Sequence, residues 1–202
     1  MKDTFEAAQV IPVLIFDEPT DAVPTADALI AGGLTALEVT LRTEAAWAAL
    51  AAIIERYPDV TVGVGTVLES SQMERAKAAG ARFAVSPGFD PDLAGLARSL
   101  KLDYLPGVAT ASEVIRAQRM GLSFLKFFPA EAAGGIPMLK AFASPFRDIV
   151  FCPTGGIGPD NAPDYLAQPN VACVGGSWVA SSADIRQKDW AAITAKAKAA
   201  AP

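Results

Sequence analysis

The sequence predicts an α/β fold, a small (β/α)8 barrel in which residues 1–202 form one domain. Three observations carry that expectation. Short apolar runs recur eight times, each followed by a helix-like stretch. Spread over 202 residues, they leave about 25 residues per unit, enough for a strand of about 5, a helix of about 11 and two short loops. Glycine pairs follow the last two runs, where barrels of this kind place anion-holding loops. A doubly wound sheet is the alternative, but it calls for an edge pair and a glycine fingerprint that do not show in the chain.

The strands are read in order as follows. VIPVLIF starts at Val10, ALEVTL at Ala36, TVGVG at Thr61, FAVS at Phe83 and YLPGV at Tyr104. FLKFF from Phe124, IVFC from Ile149 and ACVGG from Ala172 complete the set. Helix starts are marked between them. Ser71 with Glu74 and Thr110 with Glu113 have capping-box spacing, in which each side chain satisfies a free backbone N–H of the other. Asp90-Pro91 reads as an N-cap followed by proline at the first helical position. Gly32, Gly80 and Gly121 read as helix stops. The alanine-rich stretch near the C-terminus reads as a last helix.

Composition narrows the chemistry. A net charge of −5 argues against a nucleic-acid partner, which needs clustered cations to neutralise phosphates. The chain has no histidine, so no Ser-His-Asp triad, Cys-His pair or His-ligated metal site is available. Two cysteines, Cys152 and Cys173, are too few for a cysteine zinc site and read as free core thiols. No metal and no cofactor are expected. No apolar run reaches the roughly 18 residues of a membrane span, and the acidic N-terminus lacks the pattern of a signal peptide. The expectation is a cytoplasmic protein with no membrane partner.

Two strands carry residues that a core rejects. From Ala36 to Arg42 the side chains alternate: Leu37, Val39 and Leu41 face one way, Glu38, Thr40 and Arg42 the other. In a barrel the first set packs under the helices and the second points inward, with Arg42 at the C-terminal mouth. The sixth strand places Lys126 among four apolar residues. A lysine is almost never buried without a partner. One reading is a structural ion pair between Lys126 and Glu38. The other is a Schiff-base lysine, since burial of a lysine favours the neutral amine that attacks carbonyls, whereas a nearby carboxylate favours the ammonium.

The loops supply the remaining candidates. Thr154-Gly155-Gly156 follows the seventh strand and Gly175-Gly176-Ser177 the eighth, both suited to a phosphate. Thr66, after Gly63-Val64-Gly65, offers a hydroxyl to an anionic oxygen.

Six motifs, read together, closely resemble the 2-dehydro-3-deoxy-phosphogluconate aldolases. They are LEVTLRT at Leu37–Thr43, VGVGTVL at Val62–Leu68, AVSPG at Ala84–Gly88, LPGVAT at Leu105–Thr110, KFFPAE at Lys126–Glu131 and CPTGGI at Cys152–Ile157. The resemblance runs from Ile11 to Trp178. It implies a barrel, a homotrimer, and cleavage of a phosphorylated keto acid to pyruvate and glyceraldehyde 3-phosphate. Many relatives also cleave 4-hydroxy-2-oxoglutarate to pyruvate and glyoxylate. By motif, it implies that Lys126 forms the Schiff base and Glu38 is the general acid/base. It further implies that Arg42 and Thr66 bind the pyruvyl carboxylate and that Pro87 lines the pocket. Thr154, Gly155, Gly156, Gly175, Gly176 and Ser177 would hold the phosphate, with Thr154 and Ser177 resembling gluconate-type members. Relatives commonly close the lower end of the barrel with a longer N-terminal helix than the turn or two available before Val10. Two other readings stand beside this one: a phospho-sugar isomerase or epimerase on the same barrel, and a non-catalytic barrel with a structural Lys–Glu pair.

Overall fold

A computed structural model describes residues 1–202 and shows strands and helices alternating throughout. The order is α1 (Lys2–Ala8), β1 (Val10–Leu14), α2 (Ala22–Ala31), β2 (Ala36–Thr40), α3 (Ala46–Arg56), β3 (Thr61–Gly65), α4 (Ser70–Ala78), β4 (Phe83–Val85) and α5 (Pro91–Leu100). It continues with β5 (Asp103–Leu105), β6 (Gly107–Val108), α6 (Ala111–Arg119), β7 (Phe124–Phe127), α7 (Gly135–Ala143), β8 (Val150–Pro153), α8 (Ala162–Leu166), β9 (Val174–Gly176), α9 (Ser182–Gln187) and α10 (Trp190–Ala200). All eight expected runs are strands. One of them is divided: Pro106 has no N–H to donate, so the ladder breaks there into β5 and β6.

The result is a curled, wholly parallel α/β sheet. Six strands pair in the order β5-β4-β3-β2-β1-β9 and three in the order β6-β7-β8. Two isolated parallel bridges, Phe151↔Val171 and Thr154↔Gly175, link β8 and its C-terminal extension to β9 and the residues just before it. The alternation on β2 is as the sequence predicts. Leu37 and Val39 are buried between sheet and helices, with Leu41 packed against the same core. Ala36 belongs to a second apolar cluster within the curl, with Ile11, Phe83, Val85, Leu105, Phe124, Cys152 and Cys173. Both cysteines are free and buried. Burial, with Cys152 alongside, pushes the Cys173 thiol well above its ordinary range.

Helix α1 packs against residues at the start of β4 and β7. Phe5 on α1 is fully buried and stands edge-on to Phe83 at 4.9 Å and Phe124 at 5.8 Å. Gly63 makes room for this stack, since a Cβ there would lie 2.5 Å from the Phe83 ring. Phe5→Ala is therefore expected to cost about 3–5 kcal/mol. Urea denaturation should report that loss, and the folded fraction should keep its activity because this packing sits at the strand N-termini. A loss below about 1 kcal/mol would contradict its contribution.

Helix boundaries follow their caps, with one correction. Thr110 and Glu113 form the full capping box, and Asp90 accepts from the N–H groups of Asp92 and Leu93. Ser71 and Glu74 do not: α4 begins at Ser70, so Ser71 lies inside the first turn and donates to Glu69 Oε1 at 2.8 Å instead. The first helix stop is where the sequence predicts it, with Gly32 the C-cap of α2. Gly33, at φ +98°, takes the left-handed position, and Gly32 remains right-handed at φ −83°. At the C-terminus α10 packs Ile193 and Ala197 inward, and Thr194 Oγ1 donates to the Ala28 carbonyl at 3.1 Å.

Candidate active site

Glu38 sits mid-strand on β2 and Lys126 on β7, two strands that are not neighbours in either sheet. Their contact therefore spans the interior of the curl. Lys126 Nζ lies 3.7 Å from Glu38 Oε1, and each residue is only 4% exposed. Glu38 Oε1 is fully buried and accepts no hydrogen bond. Lys126 Nζ also lies over the Phe128 ring, 5.1 Å from its centroid. Such a pair is costly as scaffolding, because desolvating two charges offsets much of their attraction. Buried ion pairs occur in structural networks as well as in active sites, so the chemistry of the surrounding residues decides between them.

Above the pair lies a polar rim. Thr40, also buried, donates to the Leu14 carbonyl at 2.8 Å and ties β2 to β1. Arg42 follows the end of β2, and its Nε donates to Thr66 Oγ1 at 3.3 Å. Thr66 follows the end of β3 with φ +63°. That left-handed conformation costs a β-branched residue on the order of 1–2 kcal/mol. The fold thus joins the two residues that the sequence proposes for one anion and holds one of them under strain. Pro87 stands at the end of β4, where Ser86 fixes the turn. Ser86 Oγ donates to the Gly88 carbonyl at 2.6 Å, so it accepts from the Tyr104 hydroxyl, also at 2.6 Å. Burial pushes the Tyr104 phenol up to about 12, which keeps it a neutral donor.

The glycine loops follow β8 and close β9. Gly155 and Gly156 adopt left-handed φ values of +101° and +77°, a turn that side chains rarely permit. This loop is anchored from the KFFPAE segment: Ala130 N–H donates to the Thr154 carbonyl at 2.8 Å and Glu131 N–H to the Gly155 carbonyl at 3.1 Å. Tyr165 donates to Glu131, and burial together with that carboxylate raises the phenol above its ordinary range. Gly175 and Gly176 close β9, and Ser177, exposed, precedes a short 3-10 turn at Trp178–Ala180. Thr154 is buried, and its hydroxyl faces Gly175, where a Cβ would lie 2.3 Å away. Gly175 is thus a glycine for packing as well as for any loop function. A separate, mainly apolar cavity of about 580 Å³ between α8 and α10, lined in part by Val10, Leu166 and Trp178, holds neither Lys126 nor Glu38.

Fold and site together define the class: an α/β enzyme with a lysine and a glutamate facing each other inside a curled parallel sheet. A family profile described as KDPG and KHG aldolase matches residues 1–196. The chain is 50% identical to the 2-dehydro-3-deoxy-phosphogluconate aldolase of Zymomonas mobilis, over 96% of this chain and 91% of that protein. It is 46% identical to the KHG/KDPG aldolase of Escherichia coli K12, over 95% of this chain and 90% of that one. Its fold matches a crystal structure of the KDPG aldolase from Legionella pneumophila, with pyruvate captured at low pH as a covalent carbinolamine intermediate. That match has a TM-score of 0.97 and 47% identity, covering 100% of this chain and 98% of the other. The chain belongs to the KDPG and KHG aldolase family. As a member of a family of aldolases, it is a carbon–carbon lyase.

Proposed function

We propose that this protein is a Schiff-base aldolase that reversibly cleaves 2-dehydro-3-deoxy-6-phosphogluconate to pyruvate and glyceraldehyde 3-phosphate. It also cleaves 4-hydroxy-2-oxoglutarate to pyruvate and glyoxylate. The observation that carries this reading is the buried Lys126–Glu38 contact across the interior. Lys126 Nζ adds to the keto carbon, forming a carbinolamine that loses water to a protonated imine. Glu38 takes the proton of the C4 hydroxyl as the C3–C4 bond breaks. The bonding electrons flow into the imine and leave an enamine. Glu38 returns a proton to the enamine carbon, and water releases pyruvate from Lys126.

Arg42 offers its guanidinium fork, and Thr66 its hydroxyl, to the pyruvyl carboxylate, which sets the keto carbon against the amine. Pro87 lines the same end. Thr154, Gly155, Gly156, Gly175, Gly176 and Ser177 present backbone N–H groups and hydroxyls to the phosphate. Binding energy from that distant phosphate serves the bond that breaks. The strand pairings, taken with the Thr154↔Gly175 bridge, support a closed (β/α)8 barrel in one domain over residues 1–202. A homotrimer in the cytoplasm, acting on a small phosphorylated keto acid, completes the proposal. No helix is long and apolar enough to cross a membrane.

Purified protein given the phosphorylated keto acid should release pyruvate in proportion to substrate consumed. Light scattering should give three times the chain mass. Absence of pyruvate would overturn the activity, and a monomer mass at micromolar concentration the trimer.

A further inference from the structure

Gly65 closes β3 in register with Thr40, two residues beyond Gly63, which stands opposite Glu38. Nothing in its backbone calls for glycine, because it is absent from the positive-φ positions. The space beside it does. A Cβ at Gly65 would lie 2.0 Å from Glu38 Oε1, 2.7 Å from Cδ and 2.8 Å from Cγ. Non-bonded carbon and oxygen atoms do not approach so closely. Oε1 is the oxygen that faces Lys126 Nζ at 3.7 Å. A methyl group at position 65 and the observed carboxylate position are mutually exclusive.

We infer that Gly65 is a positioning residue: its missing side chain is the seat of the Glu38 carboxylate and keeps that carboxylate against the Lys126 amine. The obstructed group is the far end of a side chain, not backbone. Gly65→Ala therefore displaces the carboxylate instead of dismantling the strand. Its effect falls on proton transfer, while Lys126 itself is untouched. This rests on the proposed role of Glu38, and the test separates the two.

Exchange of pyruvate methyl protons with solvent reads imine formation plus proton transfer, and borohydride trapping of pyruvate reads imine formation. Gly65→Ala should slow exchange on the order of 10²-fold, the cost of misplacing a reacting group by about 1 Å, and should still trap pyruvate on Lys126. Glu38→Asp retracts the carboxylate by one methylene. It should slow exchange in the parent protein but raise it in Gly65→Ala, a reversal of sign that a general structural defect would not produce. Thermal midpoints give an independent reading: Gly65→Ala should lower the midpoint when Glu38 is present and not in Glu38→Ala. If Gly65→Ala alone does not fold, recovery of folding in the double variant Gly65→Ala/Glu38→Ala supports the inference, and an unfolded double variant overturns it. Parent-rate exchange in Gly65→Ala, while Glu38→Gln has lost it, also overturns it. So does an equal effect of Glu38→Asp in both backgrounds. Parent-rate exchange in Glu38→Gln would instead overturn the role of Glu38, leaving the seat to be decided by the thermal midpoints.

Discussion

If Lys126 forms the imine that takes up the bonding electrons, Lys126→Ala should reduce cleavage to background, a loss on the order of 10⁵-fold or more. The alanine variant also strands Glu38 without its cation, so a fall in stability is expected beside the fall in rate. Lys126→Arg separates the two effects. Arginine keeps a positive charge for Glu38 but stays protonated and cannot form the imine. The arginine variant should therefore fold and remain inactive in the pyruvate-release assay. Turnover in Lys126→Arg within about tenfold of the parent would show that this position supplies charge and not a nucleophile.

Glu38→Gln should stay folded and lose on the order of 10²–10⁴ in kcat, the range of a positioned general acid/base. The loss should be clearest in pyruvate methyl-proton exchange, which needs the imine and a proton carrier but no bond cleavage. Slow adduct formation should persist, because the Lys126 amine remains. In either reading the change leaves the Lys126 charge without its partner and lowers stability, by about 3 kcal/mol or more for an uncompensated buried charge; if Glu38 were only the structural partner, the turnover of the folded fraction would stay near normal. The exchange rate of the folded fraction, with the urea midpoint measured on the same preparation, separates these outcomes.

The parts of the site legible in the sequence are those where a residue breaks its local pattern. Lys126 stands out in Phe124–Phe128 because the strand around it is otherwise apolar, and Glu38 because β2 alternates so cleanly. Both signals arise from the cost of burying charge, which only a partner offsets. Their meeting at 3.7 Å is a product of topology, since β2 and β7 are far apart in sequence and unpaired in the sheet. The Arg42–Thr66 bond is of the same kind, and the left-handed φ of Thr66 has no sequence signal, as threonine is a poor choice there.

Glycines were the least legible. Gly63 and Gly65 read as an opening that leads to Thr66, although each is small because of a neighbour, the Phe83 ring or the Glu38 carboxylate. Gly175 reads as a phosphate loop and is also the space that Thr154 fills. Phe5 was invisible for another reason: one aromatic in a seven-residue helix carries no periodicity to read, and its role appears only when Phe83 and Phe124 converge on it. Ser71 and Glu74 have capping-box spacing without forming the box, because spacing does not say at which residue a helix begins.

Reduction of the protein with borohydride in the presence of pyruvate tests the central claim most directly. The intact mass should rise by one reduced pyruvyl group per chain, and peptide mapping should place it on Lys126. An adduct on another lysine, or none on folded protein, would contradict the account.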